Sequence, residues 1–173
     1  IDKKHTWDLA PLSAREDDWE DLYKDLDSRL ARYASWRGRL GESAAVLKEA
    51  LDFDLGVSRD LDRLHTYAHL KSDEDKANQK YMALSERSVS LINRATELSS
   101  YMTPEIHALP DATIDAYMKD PVLAEYRFFL EKLLRYRPHT RGGEIEEILA
   151  MSGDLAHASS EFFGQLDNAD MRF

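Results

Sequence analysis

Asp60-Leu61-Asp62-Arg63-Leu64-His65-Thr66-Tyr67-Ala68-His69-Leu70-Lys71-Ser72-Asp73-Glu74-Asp75 decides how this chain is read. Leu61, Leu64 and Ala68 recur at i, i+3 and i+7, the buried stripe of an amphipathic helix. Asp62, His65 and His69 share the adjoining flank, since residues three and four apart stack on one helical face. A histidine pair at this spacing opens many zinc sites, and in a zinc protease it reads H-E-x-x-H, the glutamate polarising a metal-bound water. Here the glutamate position is Thr66, so the base is missing and the pair reads as surface histidines on a structural helix.

The composition agrees. The 173 residues suit one domain or one lobe, and 43% hydrophobic content supports a real core. Seven glycines and five prolines leave long uninterrupted segments, which favours helices. With no cysteine there is no disulfide, iron–sulfur cluster or thiol nucleophile, and a reducing, cytoplasmic setting is expected. A net charge of −10 argues against nucleic acid, because phosphate contacts need clustered Lys and Arg. No apolar run approaches the ~20 residues of a membrane span, so no membrane partner is expected. The start at Ile1 without a methionine reads as trimmed.

Outward from the central helix, the spacing predicts further helices on both sides. Trp7 looks like an aromatic anchor in an extended lead-in, and Ser13 with Glu16 has the pattern of a capping box. Trp19, Leu22, Leu26, Leu30, Tyr33 and Leu40 predict one long helix ending at Gly38 and Gly41. Ser43 caps a helix with Val46, Leu47, Ala50 and Leu51, which Gly56 is expected to interrupt. After a polar turn from Ser72 to Asn78, Tyr81, Leu84, Ser88, Leu91, Ala95, Leu98 and Met102 form another stripe. Ser88 on that stripe predicts a close helix–helix approach. Thr103-Pro104 and Asp120-Pro121 each place a capping oxygen before a proline at a helix start, and Pro110-Asp111 opens a short helix. Leu123, Tyr126, Phe129, Leu130, Leu133 and Leu134 mark a helix from Pro121 to Tyr136, stopped by Arg137-Pro138-His139-Thr140. Glu144–Met151 and Asp154–Leu166 read as two more, and Met171-Arg172-Phe173 alternates as a strand would. The expected fold class is all-α: an antiparallel bundle or array of about six to eight helices, residues 1–173 forming a single lobe that ends on the start of a β-strand.

Chemistry is sparse. Di-metal bundles use paired Glu-x-x-His motifs, and the nearest approach is Asp62-x-x-His65 with Asp154-x-x-His157. Those carboxylates are a methylene short and flank their stripes, so they are read as pointing sideways. There is no G-x-S-x-G or Gly-rich phosphate loop, and Gly142-Gly143 before a helix reads as a flexible start. Arg135, Arg137 and Arg141 around His139 suit a helix C-terminus. No catalytic or metal-binding residue is assigned, no cofactor is expected on this chain, and substrate-binding residues stay unassigned.

Four stretches nevertheless resemble the N-terminal region of the oligoendopeptidase F family, zinc metallopeptidases related to thimet oligopeptidase. They are Thr6-Trp7-Asp8-Leu9 with Pro11-Leu12, the run Tyr67–Asp75, Leu134-Arg135-Tyr136-Arg137-Pro138-His139-Thr140, and Phe163-x-x-Leu166-x-Asn168-Ala169-Asp170-Met171-Arg172-Phe173. Their order and spacing match, and together they span essentially the whole chain. Ala10 departs from the usual Ser or Thr before Pro11, and Gly142-Gly143 from the Ser and Glu the family prefers. The resemblance implies a helical lobe roofing a channel, with the zinc, its ligands and the glutamate in an H-E-x-x-H segment of a catalytic domain that this chain lacks. It also implies, for the longer polypeptide, short peptide substrates, and for this fragment, no activity alone. The apolar face of the second half is expected to support self-association. A free-standing helical interaction module without catalysis is the alternative.

Overall fold

The computed structural model describes residues 7–74 and 78–139 together with Phe163. The chain divides into two compact units, Ile1–Leu130 and Glu131–Phe173. All regular structure among the described residues is helical.

The first unit is built on α1 (Glu16–Arg29), α2 (Ala44–Glu74) and α3 (Gln79–Ser99). Helix α1 does not start at the Ser13 cap: its N-cap is Arg15, whose N–H donates to Asp18 Oδ2 at 3.0 Å. Ser13 is buried, and its hydroxyl donates to the Arg15 carbonyl at 2.7 Å. Trp7 is no anchor either. It is 81% exposed, and Leu9 holds the lead-in instead, its carbonyl accepting from Leu12 and Ser13. Of the long stripe from Trp19 to Leu40, all but the half-buried Leu22 is buried as the spacing predicts, but the backbone changes under it. The helix tightens into a 3₁₀ turn at Leu30–Ser35 and ends in turns around Gly38, whose φ of 78° only glycine adopts freely.

Ser43 caps α2 as expected, its Oγ accepting from Val46 N at 3.2 Å. The interruption at Gly56 does not occur, and the two expected helices are one element of 31 residues. Arg29 lies alongside, its Nη2 3.9 Å from where a Cβ would be, an ordinary contact. Arg29 crosses to bond Asp60 at 2.8 Å, so packing overrides the weak helix propensity of glycine.

Contacts to α2 descend as the first segment advances: Trp19 with Leu64 and Arg29 with Asp60 from α1, then Tyr33 with Asp54 from the turn after it. Helices α1 and α2 are therefore antiparallel. Helix α3, capped by Asn78, returns antiparallel to α2, placing Lys71 over Tyr81 and His65 against Ser88. This is the most extensive helix contact of the chain. Helices α1 and α3 then run parallel, tied by Glu16–Lys80, Glu20–Arg87 and Asp27–Arg94, the α3 partners falling every seventh residue. The core is Trp19, Leu26, Leu30, Leu47, Val57, Leu64 and their neighbours, all essentially solvent-free.

Two short helices, α4 (Met102–Ala108) and α5 (Asp111–Lys119), follow. The expected Thr103 cap is displaced: Tyr101 caps α4, and Pro104 sits inside the first turn, where its missing N–H costs nothing. Asp120 does cap as read, accepting from Val122 N at 2.9 Å ahead of Pro121. What it opens is a 3₁₀ turn, Pro121–Tyr126, leading into α6 (Arg127–Tyr136) and not one continuous helix. Five α-helices of nine or more residues and the seven-residue α4 are thus present among the described residues. Six to eight long helices overcounts them, chiefly because two expected helices fuse into α2. Of the second unit, the end of α6 and the turn Arg137–His139 are described. The expected helices at 144–151 and 154–166 and the strand at 171–173 lie outside the described residues.

Candidate functional site

The histidine flank of α2 is where the sequence put its one chemical question. His65 and His69 do lie side by side, rings 5.6 Å apart and inclined by 21°. The reading of both as surface groups needs correcting, because their environments differ. His69 is exposed and its Nε2 lies 3.3 Å from Asp73 Oδ2, while His65 is partly buried, its Nδ1 2.9 Å from Ser88 Oγ on α3. The Ser88 hydroxyl donates its single hydrogen to the Ser85 carbonyl, 2.6 Å away. Ser88 Oγ can then only accept, so His65 carries its proton on Nδ1. Ser88 is completely buried, which bears out the close helix approach read from the sequence.

This arrangement does not suit a catalytic metal. Thr66 stands where a base would be, and Asp62 is on the exposed side of α2. Among the described residues, no group of three or more His, Cys, Asp or Glu is placed to hold a metal ion. The other half of the weighed di-metal pair, Asp154 and His157, lies outside the described residues, as do Arg141, Gly142 and Gly143. Arg135 falls in the last turn of α6 and Arg137 and His139 in the turn beyond it, where cations complement the helix dipole.

A polar recess that the sequence did not announce lies between α2 and α3. It encloses about 120 Å³ and is lined by Tyr33, Asp54, Ser58, Asp62, Thr96 and Ser99 over an apolar floor. Tyr33 is almost fully buried and its hydroxyl donates to Asp54 Oδ1 at 2.7 Å. Burial first, and the hydrogen bond to Asp54 second, push this phenol far above its ordinary range, so it stays protonated. Tyr33 therefore enters the recess as a hydrogen-bond donor and not as a base. Tyr33 carried no sequence signal beyond its place on an apolar stripe, and its partner lies 21 residues away.

A second structural tie was equally invisible. Glu105 of α4 accepts from the Gly38 and Leu40 N–H groups at 2.8 and 2.7 Å, fixing the turn after the first helix. On Tyr126, burial and then the Asp52 carboxylate push the phenol up to about 12, and its hydroxyl donates to Asp52 at 2.6 Å. Lys48 joins Asp52 and Glu125 in the same cluster.

Among the described residues, the fold and these clusters define a helical scaffold. The family model described as Oligopeptidase F matches residues 105–173. Group B oligopeptidase PepB of Streptococcus agalactiae is 30% identical over 174 aligned positions, covering 100% of this chain and 29% of that protein. Oligopeptidase PepF of Bacillus subtilis is 28% identical, covering 100% of this chain and 26% of its own length. A solved structure from Chlamydophila abortus, a provisionally assigned peptidase, superposes with a TM-score of 0.71 at 27% identity, over 100% of this chain and 29% of that one. The chain is related to the oligoendopeptidase F family along its whole length and corresponds to that family's N-terminal part. It spans less than a third of the length of these relatives.

Proposed function

We propose that these 173 residues form one helical lobe of a zinc-dependent oligoendopeptidase, a lobe that restricts access to short peptides and is inert by itself. The observation that carries this reading is the whole-length similarity to oligopeptidases more than three times as long. It joins with a sequence that contains no H-E-x-x-H segment. Hydrolysis then belongs to the remainder of the longer polypeptide, and the residues here supply a rigid wall.

Three ion pairs tie α1 to α3 along one flank, which suits such a wall. Val122, Phe128 and Phe129 are exposed on the last elements of the first unit, apolar surface of the kind that packs against the rest of a chain. No described helix is long and apolar enough to cross a membrane. The acidic balance, with a net charge of −10, disfavours strongly negative peptides at the entrance, an effect that fades as salt screens it over ~8–10 Å.

Gating is tested in the longer polypeptide by removing this lobe, or by loosening it with Glu20→Ala and Arg87→Ala. If the lobe sets the size limit, the altered enzyme cleaves longer peptides that the intact enzyme spares, while cleavage of short ones persists. An unchanged length limit would refute the gating role.

A further inference from the structure

The recess between α2 and α3 is rimmed by hydrogen-bond acceptors. Asp54, Ser58 and Asp62 stand one turn apart on α2, and Thr96 and Ser99 line the α3 side. Tyr33, almost fully buried, spends its hydrogen on Asp54 Oδ1 at 2.7 Å, which leaves Oδ2 to accept. Thr96 Oγ1 donates to the Ile92 carbonyl at 3.0 Å, and Ser99 Oγ to the Thr96 carbonyl at 3.3 Å. Both hydroxyl oxygens are therefore left with lone pairs and no hydrogen to offer. Among the described residues, no Lys or Arg lines the recess, and neither Asp54 nor Asp62 has an ion pair. Arg29, near enough to act on Tyr33, is held by Asp25 and Asp60.

We propose that this recess binds a primary ammonium group on a short aliphatic stem. An ammonium carries three N–H donors and no acceptor, the complement of this rim, and it brings a positive charge to Asp54 and Asp62. The floor of Leu61, Ile92 and Ala95 is apolar and suits methylenes, a surface that a bare metal ion would leave uncovered. Among the described residues, no group of three His, Cys, Asp or Glu is placed to hold such an ion. The recess of about 120 Å³ is several times the ~30 Å³ share of one water, so head and stem both fit. Asp62 also acts on His65, one turn along, but burial and then His69 hold that ring below its ordinary 6.5. At about pH 7.5 it is neutral and does not compete for the carboxylate. The site stands on this geometry and is independent of the peptidase reading. Its ammonium has two sources, a free alkylamine or a lysine side chain.

The test titrates propylammonium chloride into the 173-residue chain at about pH 7.5 and constant ionic strength, followed by amide NMR. The Ser58, Asp62, Thr96 and Ser99 amides should shift together and saturate. Tetramethylammonium, with the charge but no N–H, and propanol, with the stem but no charge, should not saturate them. Asp62→Asn should weaken binding about fivefold. Asp115→Asn, at an exposed position on α5, removes the same charge from the chain and should change binding less than about twofold. Shifts that fail to saturate, or that tetramethylammonium reproduces, would overturn the proposal. Equal weakening in the two variants would also overturn it, by showing attraction to net charge only. Nα-Acetyl-lysine amide separates the sources. Binding as tight as that of propylammonium assigns the site to a lysine side chain, and binding of propylammonium alone assigns it to a free amine.

Discussion

Glu105 and Leu40 are joined by a 2.7 Å hydrogen bond from the Leu40 amide to Oε1, while the other carboxylate oxygen takes the Gly38 amide. Leu40 is completely buried, so its N–H has no water to turn to. Glu105→Ala should therefore destabilise the chain by about 1–3 kcal/mol, the cost of an orphaned buried donor. Glu105→Gln retains one acceptor oxygen and should cost less than the alanine variant. Urea unfolding reads both, and a negligible effect of Glu105→Ala would show that the turn is held by other contacts.

The same turn separates two glycines by mechanism. At Gly41 a Cβ would meet Leu109 Cδ2 at 2.7 Å, whereas at Gly38 it would meet nothing but would sit at a φ of 78°. Gly38→Ala should cost about 1–2 kcal/mol through backbone strain alone. Gly41→Ala should cost about 1–3 kcal/mol through overpacking, and Leu109→Val in the same chain should recover part of it. A double-mutant cycle showing no coupling at Gly41, or rescue of Gly38→Ala by Leu109→Val, would contradict this division.

Arg87 makes the strongest of the α1–α3 ties. It bonds both oxygens of Glu20 and lies 4.3 Å over the Tyr23 ring and 5.0 Å over Trp19. Arg94, half-exposed, has its ion pair with Asp27. Arg87→Ala should cost roughly 1–2 kcal/mol and Arg94→Ala under about 0.5 kcal/mol. Arg87→Lys should recover little of the loss, because lysine cannot match the two-pronged contact or the ring stacking. Equal losses at the two positions, both abolished by salt, would reduce Arg87 to an ordinary surface pair.

Period and capping made much of this fold legible. The stripes through Leu26 and Leu64, and through Leu84 and Leu91, are buried where the spacing put them, and Ser43 and Asp120 cap as their side chains suggest. The misreadings mark places where a local pattern was read without its packing. Gly56 was expected to break a helix because its propensity is poor, but α2 runs through it as one element of 31 residues, with Arg29, 27 positions earlier, lying alongside. Ser13 has the pattern of a cap, yet its hydroxyl is drawn to Arg15 as the lead-in folds back through Leu9. Trp7 is large and apolar, which predicts burial, but nothing packs over it and it remains 81% exposed. The histidine pair was legible as a helical flank and not as two environments, because burial of His65 depends on a serine 23 residues on. Tyr33–Asp54 and Glu105–Leu40 were not legible, since neither pair leaves a local pattern.

The central claim is that this lobe belongs to a peptidase whose chemistry lies in the remainder of the longer polypeptide. Cleavage of a quenched fluorogenic peptide, measured side by side for the 173-residue chain and the longer polypeptide, tests it most directly. The account predicts no turnover by the isolated chain, with or without added zinc, and chelator-sensitive turnover by the longer protein. Chelator-resistant turnover by the isolated 173 residues, or a longer protein that cleaves nothing, would contradict it.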